Sequence, residues 1–151
     1  MSKQKIYLNT DGGSRGNPGN AGCGVVICDD RGTILKKIAK PLGKMTNNEA
    51  EYWAVITGLE NVKKILGKKN LHDYELEVRM DSELVKSQLS GEYQIKEAKL
   101  WPLFIKIWNM QVKDLPPVKF TYIPREKNKL ADLLANQAMD EGSKQSGLFR
   151  T

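Results

Sequence analysis

The segment from Lys5 to Gly19 constrains the fold most, because a strand pattern leads directly into a run of turn residues. Residues 5–10 alternate as in a β-strand, and residues 12–19 are mostly glycine, serine, asparagine and proline. Asp11 stands at the junction. A carboxylate there is held by the sheet, while Gly12 and Gly13 let a ligand approach the backbone. An isolated Asp-Gly pair is equally typical of a simple turn, so this motif decides nothing by itself.

Size and charge indicate one folded domain with polyanionic partners. A chain of 151 residues is long enough for one core, and its net charge is +6 although 18 acids are present. Cys23 and Cys28 are five residues apart on one strand pattern and therefore face opposite sides. Two free thiols predict a reducing, cytoplasmic location. No stretch has the length of a signal peptide or membrane span, so we expect no membrane association and a monomer.

Two further strand patterns follow the first. Residues 21–28 form a compact apolar run, and residues 33–40 place apolar residues among lysines. Three consecutive strands separated by short turns predict an antiparallel start to the sheet. Gly22 and Gly24 weaken the second strand unless another element packs closely against it.

From Thr46 the apolar period changes to that of a helix, which we expect to end near Gly67. Thr46 and Glu49 have the spacing of a capping box, so Glu49 already has a structural role. Glu51 has no such role; its structural explanation is a favourable charge near the helix N-terminus. The expected apolar face consists of Ala50, Trp53, Ala54, Leu59, Val62 and Leu66.

The second half of the sequence predicts a strand over residues 74–80, followed by a short helix that contains Leu84, Val85 and Leu89. A further helix is expected to begin near Trp101. A strand over residues 118–123 and a closing helix complete the predicted order. We expect Asn128 to cap the closing helix. The expected buried stripes are Leu103, Phe104, Ile107, Trp108 and Met110 in one helix, and Leu130, Leu133, Leu134, Ala135 and Ala138 in the other. Residues 1–141 then form the domain, and 142–151 read as a flexible tail.

The predicted order is three strands, a helix, a strand, two helices, a strand and a helix, which is an α/β (α+β) arrangement. Asp11 and Asp81 each end a strand, so they emerge at one sheet edge if those strands are neighbours. Asp81 is equally typical of a helix cap. Glu51 and Asp132 come from helices that could cover that edge, since Asp132 lies roughly 200° around its helix from Leu130.

Four motifs in this order resemble the type 1 ribonuclease H family from Lys5 to about Met139. They are Thr10 to Gly19, Thr46 to Tyr52, Met80-Asp81-Ser82, and Asn128 to Asp132. In the second motif the family's catalytic glutamate falls on Glu51 and not on Glu49. The resemblance implies a ribonuclease H-like fold with a central mixed five-stranded sheet, three antiparallel strands first and two parallel strands after them.

The resemblance also implies hydrolysis of the RNA strand of RNA–DNA hybrids to 5′-phosphate and 3′-hydroxyl ends. Asp11 would bridge two ions, with Glu51, Asp81 and Asp132 completing their shells, and Glu51 near the 2′-hydroxyl. Oxygen ligands suit Mg²⁺ or Mn²⁺, and the one histidine, His72, is far from the acids in sequence. The implied substrate contacts are Gly12, Asn17, Thr46, Asn47, Asn48, Ser82 and Arg125.

Two departures from the family pattern stand out. Many members carry a histidine in the loop that is Pro124 to Lys127 here, and Arg125 cannot shuttle a proton near neutral pH. Slower cleavage or a stronger dependence on Mn²⁺ is expected. Many bacterial members also insert a basic handle helix, for which residues 90–100 are too short. Lys86, Lys96 and Lys99 are candidates for a reduced version, although scattered lysines are commonly just a solvated surface.

Three alternatives differ in function class. A module that binds hybrid or structured RNA without cutting is disfavoured, because four carboxylates beside phosphate gain nothing for binding alone. A nuclease of the same fold acting on double-stranded RNA or a DNA junction stays open. A dinucleotide-binding enzyme fails, because the glycine-rich run leads into another strand rather than a helix.

Overall fold

The computed structural model describes residues 3–148, with side chains as far as residue 144. Its strands are β1 (Gln4–Gly16), β2 (Gly19–Asp29), β3 (Ile34–Met45), β4 (Tyr74–Met80) and β5 (Val118–Tyr122), and its helices are α1 (Asn47–Leu66), α2 (Glu83–Leu89), α3 (Trp101–Lys113) and α4 (Lys129–Leu148). The sheet order is β3-β2-β1-β4-β5. The first three strands pair antiparallel, and β4 and β5 run parallel to β1. The predicted mixed sheet is confirmed.

Strand β1 is longer than the sequence predicts. It continues past Asp11 to Gly16, so the prediction of a turn over residues 12–19 is wrong except for Asn17 and Pro18. The glycine-rich run keeps its ladder because it faces small residues of β2, with Gly13 opposite Gly22. Pairing with β4, however, stops at Thr10. Asp11 therefore stands where β1 loses one of its two neighbours, which opens space beside its carboxylate.

The two faces of the sheet carry different helices. Cys23 of β2 faces α1, where its thiol donates to the Thr57 hydroxyl over 3.8 Å. Gly24, the next residue, faces α4: a Cβ there would lie 2.2 Å from the Ala131 carbonyl oxygen. Cys28 packs on this same α4 side, so the two free cysteines face opposite ways, as the sequence predicts. The close packing that Gly24 requires is supplied by α4.

Two predicted stripe residues are exposed. Trp108 of α3 is 57% exposed, because this helix lies at the side of α1 and buries only the face around Ile107. Leu133 of α4 is 53% exposed, since the buried side of that helix is centred on Ala131, Ala135 and Ala138. The remaining members of both stripes are buried or half-buried.

Helix α4 continues to Leu148, six residues past Gly142, where the sequence places the start of a flexible tail. Residues 142–148 of the predicted tail are therefore helical. Residues 149–151 lie outside the described part of the chain. Across residues 3–148, no helix combines the length and the apolar character needed to cross a membrane.

Candidate functional site

Three carboxylates converge at one edge of the sheet. Ligand oxygens of Asp11, Glu51 and Asp81 all lie within 4.8 Å of one another. Asp11 comes from β1, Glu51 from the N-terminal part of α1, and Asp81 directly follows β4. Because β1 and β4 are parallel neighbours, Asp11 and Asp81 emerge together, as the sequence predicts for adjacent strands.

Gly12 lets α1 come close enough to complete this cluster. A Cβ at Gly12 would lie 2.3 Å from the Ala50 carbonyl carbon and 2.5 Å from the Glu51 nitrogen. Only glycine fits there, so the first turns of α1 press directly on β1. This close approach brings the Glu51 side chain beside Asp11.

Asp132 reaches the cluster from α4. Its carboxylate lies near enough to Asp11 to raise the pKa of that acid. Asp132 does not belong to the group within 4.8 Å, so it flanks the three other acids. Asn136, one turn further along, donates from Nδ2 to the Asp132 backbone carbonyl over 3.0 Å and to Asp132 Oδ1 over 3.4 Å. Three of the four predicted acids thus form one cluster, and Asp132 lies at its border near Asp11.

Burial and mutual repulsion dominate the electrostatics of the cluster. Burial above all, followed by the Asp81 charge and the neighbouring Asp132, raises the pKa of Asp11 to about 8. Burial also raises the pKa of Glu51 well above its usual range, with Asp11 and Asp81 adding to the effect. The Gly12 N–H and the Arg125 charge oppose that shift of the Glu51 pKa. The acids therefore need protons or a bound cation to neutralise them.

The donor set fits a hard divalent cation. Glu51 is 5% exposed, and its Oε2 is buried without a hydrogen-bond partner among the described residues. A buried carboxylate oxygen without a hydrogen-bond donor destabilises the folded state unless a cation or a proton lies beside it. The ligand atoms that Asp11, Glu51 and Asp81 bring together here are carboxylate oxygens. Such ligands suit Mg²⁺, Mn²⁺ or Ca²⁺ far better than zinc.

Most predicted contact residues surround the N-terminus of α1. The Asn17 Oδ1 accepts from the Asn47 backbone N–H over 2.9 Å, which ties the β1–β2 turn to α1. Thr46 accepts from the Glu49 N–H over 3.2 Å, and Glu49 accepts from the Thr46 N–H over 3.0 Å. The predicted capping box is thereby confirmed, and the Thr46 hydroxyl is already engaged in it.

The other predicted contacts have different surroundings. Ser82 accepts from the Val85 N–H over 3.2 Å and so caps α2. Arg125 lies in a 3₁₀ turn, exposed to solvent, with its charge close enough to Glu51 to affect that acid. Asn48 donates from Nδ2 to Glu97 Oε1 over 2.8 Å. Sequence patterns did not single out Glu97, because an exposed glutamate in a polar connection carries no distinguishing signal.

Asn128 has a different role from the predicted one. It precedes α4, but its side chain does not cap that helix: Nδ2 donates to the Thr10 carbonyl over 2.9 Å and to Asp81 Oδ2 over 3.2 Å. Asn128 is 1% exposed, and its Oδ1 has no partner among the described residues. The one sequence feature that could have linked Asn128 to the site is its position in the same short motif as Asp132.

Comparisons with known proteins agree with this architecture. The model of the Reverse transcriptase-like family matches residues 9–138. LC11-RNase H1, solved in complex with an RNA/DNA hybrid, is 48% identical with a TM-score of 0.86, over 90% of this chain and 97% of that one. The chain belongs to the type 1 ribonuclease H family. A second member of the family, RNase H1 of Halobacterium salinarum, is 33% identical with a TM-score of 0.82, over 91% and 98% of the two chains.

The family resemblance deduced from the four motifs is confirmed by these matches. A curated relative, the Bifunctional protein Rv2228c of Mycobacterium tuberculosis, is 39% identical over 137 residues, which cover 90% of this chain and 36% of that protein. The chain thus spans about a third of the length of its mycobacterial relatives. These relatives therefore carry additional sequence beyond the matched region.

Proposed function

We propose that this ribonuclease H domain is a metal-dependent endoribonuclease that hydrolyses the RNA strand of RNA–DNA hybrids to 5′-phosphate and 3′-hydroxyl products. The observation that carries the proposal is the convergence of Asp11, Glu51 and Asp81 within 4.8 Å. Asp132 lies near Asp11 at the border of this cluster. The substrate class is supported by LC11-RNase H1, the 48% identical relative that was solved with an RNA/DNA hybrid.

Two Mg²⁺ ions, which Mn²⁺ can replace, are the cofactor we propose for this cluster. When bound, they supply activation of a water molecule and stabilisation of the leaving oxygen. Asp11, Glu51, Asp81 and Asp132 would hold these ions. Because the pKa values of Asp11 and Glu51 are raised, these acids would release protons as cations bind.

The residues around α1 would position the hybrid. Gly12, Asn17, Asn47 and Asn48 offer bare backbone and amide groups that can contact ribose and base edges, and Glu51 would lie near the 2′-hydroxyl that distinguishes RNA from DNA. The hydroxyls of Thr46 and Ser82 already accept hydrogen bonds that cap α1 and α2, so they would contact the substrate in addition to these bonds. These proposed roles are the family's substrate contacts, assigned to the matching residues of this chain.

Arg125 would steady a phosphate rather than move a proton. Its guanidinium stays charged at neutral pH, and its effect on Glu51 indicates that it is near the cluster. A member that has Arg125 where others have a histidine is expected to cleave more slowly or to depend more on Mn²⁺.

Cleavage of a panel of labelled duplexes tests this function. With Mg²⁺, an RNA–DNA hybrid labelled on either strand should lose only its RNA strand, and chelation of the metal should stop the reaction. Double-stranded RNA, double-stranded DNA and a DNA junction are tested as alternative substrates. Binding of the hybrid without cleavage, or faster cleavage of one of these three alternatives, would contradict the proposal.

The compartment and the oligomeric state are further proposals. Cys23 and Cys28 are free thiols, which supports a reducing, cytoplasmic environment. We expect a monomer that needs no membrane, and light scattering of the purified chain would test the monomer directly.

A further inference from the structure

The connection between α2 and α3 places a carboxylate beside a substrate-facing amide. Glu97 lies in this connection, and its Oε1 accepts a hydrogen bond from Asn48 Nδ2 over 2.8 Å. Asn48 is the second residue of α1 and is half-buried, three positions before Glu51. The contact therefore joins the short connection to the part of α1 that lines the carboxylate cluster.

The backbone around Glu97 is well anchored. Its carbonyl accepts from the Leu100 N–H over 3.0 Å, and Leu100 is fully buried in the core. The Trp101 indole N–H donates to the Ile95 carbonyl over 2.8 Å, which closes the segment on both sides of Glu97. A carboxylate on such a support keeps its position better than one on a free loop.

The chemistry of the contact determines how Asn48 is oriented. A carboxylate only accepts, so the Asn48 NH₂ group must point toward Glu97. The Asn48 Oδ1 then points away from Glu97 and is left to accept from an outside donor, such as a 2′-hydroxyl or a base amino group. If Asn48 turned over, its carbonyl oxygen would face the Glu97 carboxylate, which is repulsive.

We propose that Glu97 is a positioning residue that fixes the orientation of the Asn48 amide for binding of the hybrid. This inference rests on the proposed function and deepens it. It also assigns a role to residues 90–100, the stretch that is too short for a basic handle helix: they supply an acceptor to α1.

Electrostatics alone predicts the opposite effect for removal of Glu97. Deleting a negative charge near a polyanion should tighten hybrid binding. A second explanation is that Glu97 merely stabilises the N-terminus of α1 through its charge. Both explanations attribute the role of Glu97 to its charge, whereas positioning attributes it to the acceptor oxygen, so the two substitutions Glu97→Ala and Glu97→Gln separate them.

We expect Glu97→Ala to raise the KM for hybrid about 3- to 10-fold, as for loss of one hydrogen bond, with kcat within about twofold of wild type. Glu97→Gln keeps an acceptor oxygen and should restore most of the wild-type KM. In an Asn48→Ala background, Glu97→Ala should have no further effect. Glu92→Ala is the matched control, because it removes an acid of the same connection that pairs with Lys86 instead, and it should not raise KM.

The same variants, combined with Asp11→Asn, give the Kd for uncut hybrid by fluorescence anisotropy. An unchanged or lower KM and Kd for Glu97→Ala, an equal loss with Glu97→Gln, or an effect that persists in the Asn48→Ala background would overturn the inference. Failure of the proposed function looks different: the wild-type chain would leave hybrid uncut, whereas failure of this inference leaves wild-type cleavage intact.

Discussion

Asn128 links Asp81 to the neighbouring strand: its Nδ2 donates to Asp81 Oδ2 over 3.2 Å and to the Thr10 carbonyl over 2.9 Å. The asparagine is buried at the start of α4, so one side chain holds β1, β4 and α4 together. Asp11 follows Thr10 directly, and Asp132 lies one turn into α4. Asn128 therefore sets the relative positions of three of the four acids.

Replacement of Asn128 by alanine should affect both stability and metal binding. We expect a loss of about 1–3 kcal/mol in the free energy of unfolding, because the buried Thr10 carbonyl loses its donor. The affinity for Mn²⁺ should fall about 10- to 100-fold, as for loss of a group that orients a ligand. Urea denaturation and calorimetric titration measure the two quantities.

Asn61→Ala is the matched control. Its Nδ2 donates to the Thr57 carbonyl over 2.8 Å in the middle of α1, away from the acids. It should cost some stability and leave the affinity for Mn²⁺ unchanged. Equal metal affinity in Asn128→Ala and wild type would show that Asn128 does not orient Asp81.

Substitution of Gly24 tests the packing of α4. An alanine Cβ would lie 2.2 Å from the Ala131 carbonyl oxygen and 2.6 Å from the Ala135 nitrogen, so α4 must move away from β2. We expect a destabilisation of about 1–3 kcal/mol or more, together with reduced activity because Asp132 moves with the helix.

Gly13→Ala is the comparison for this substitution. Its added Cβ would meet the flexible end of Met139 at 3.3 Å, so the side chain can give way. It should therefore unfold at a denaturant concentration close to that of wild type. Similar midpoints for Gly24→Ala and Gly13→Ala would contradict the close packing of α4 on β2.

The acid cluster should make the metal-free protein less stable as pH rises. The pKa of Asp11 is about 8 in the folded chain, against 3.8 for an ordinary aspartate, so the folded state binds more protons between these values. Stability then falls as pH rises through that range. With chelator present, wild type should lose more stability between pH 5.5 and pH 8 than Asp11→Asn does, as measured by urea denaturation. Equal losses would show that the Asp11 charge is not penalised by folding.

The order and type of the elements were predictable because each has a strong local signal. The capping box of Thr46 and Glu49 predicted where α1 begins, and the alternation over residues 74–80 predicted β4. The length of β1 was not predictable in this way, because Gly12 and Gly13 are typical of turns in isolation. Only the facing residues of β2, Cys23 and Gly22, show that the ladder continues.

The candidate site was predictable where a motif singled out a charged residue. The motifs single out Asp11, Glu51, Asp81 and Asp132, and the structure brings the first three within 4.8 Å of one another, with Asp132 near Asp11. The contacts that orient them were not predictable, since Asn128 looks like a helix cap and Glu97 like a surface acid until α1, α4 and β4 are in place. Such contacts join residues far apart in sequence, so no local pattern encodes them.

Two glutamates of α1 provide a matched test of the site assignment. Glu51→Gln removes a buried carboxylate from the cluster, whereas Glu49→Gln keeps the capping box, which accepts glutamine. We expect Glu51→Gln to reduce kcat for hybrid cleavage by about 10³-fold, as for loss of several kcal/mol of metal-assisted stabilisation, and Glu49→Gln to stay near wild type. The reverse pattern would move the catalytic role to Glu49.

The rate of RNA-strand cleavage by wild type and Asp11→Asn, measured side by side with Mg²⁺, tests the central claim most directly. Asp11 is surrounded by repelling carboxylates, so the substitution should leave the fold intact and hybrid binding close to wild type. We predict metal-dependent cleavage by wild type and a rate about 10³-fold lower or undetectable for Asp11→Asn. Cleavage of the hybrid by Asp11→Asn at the wild-type rate would contradict the account.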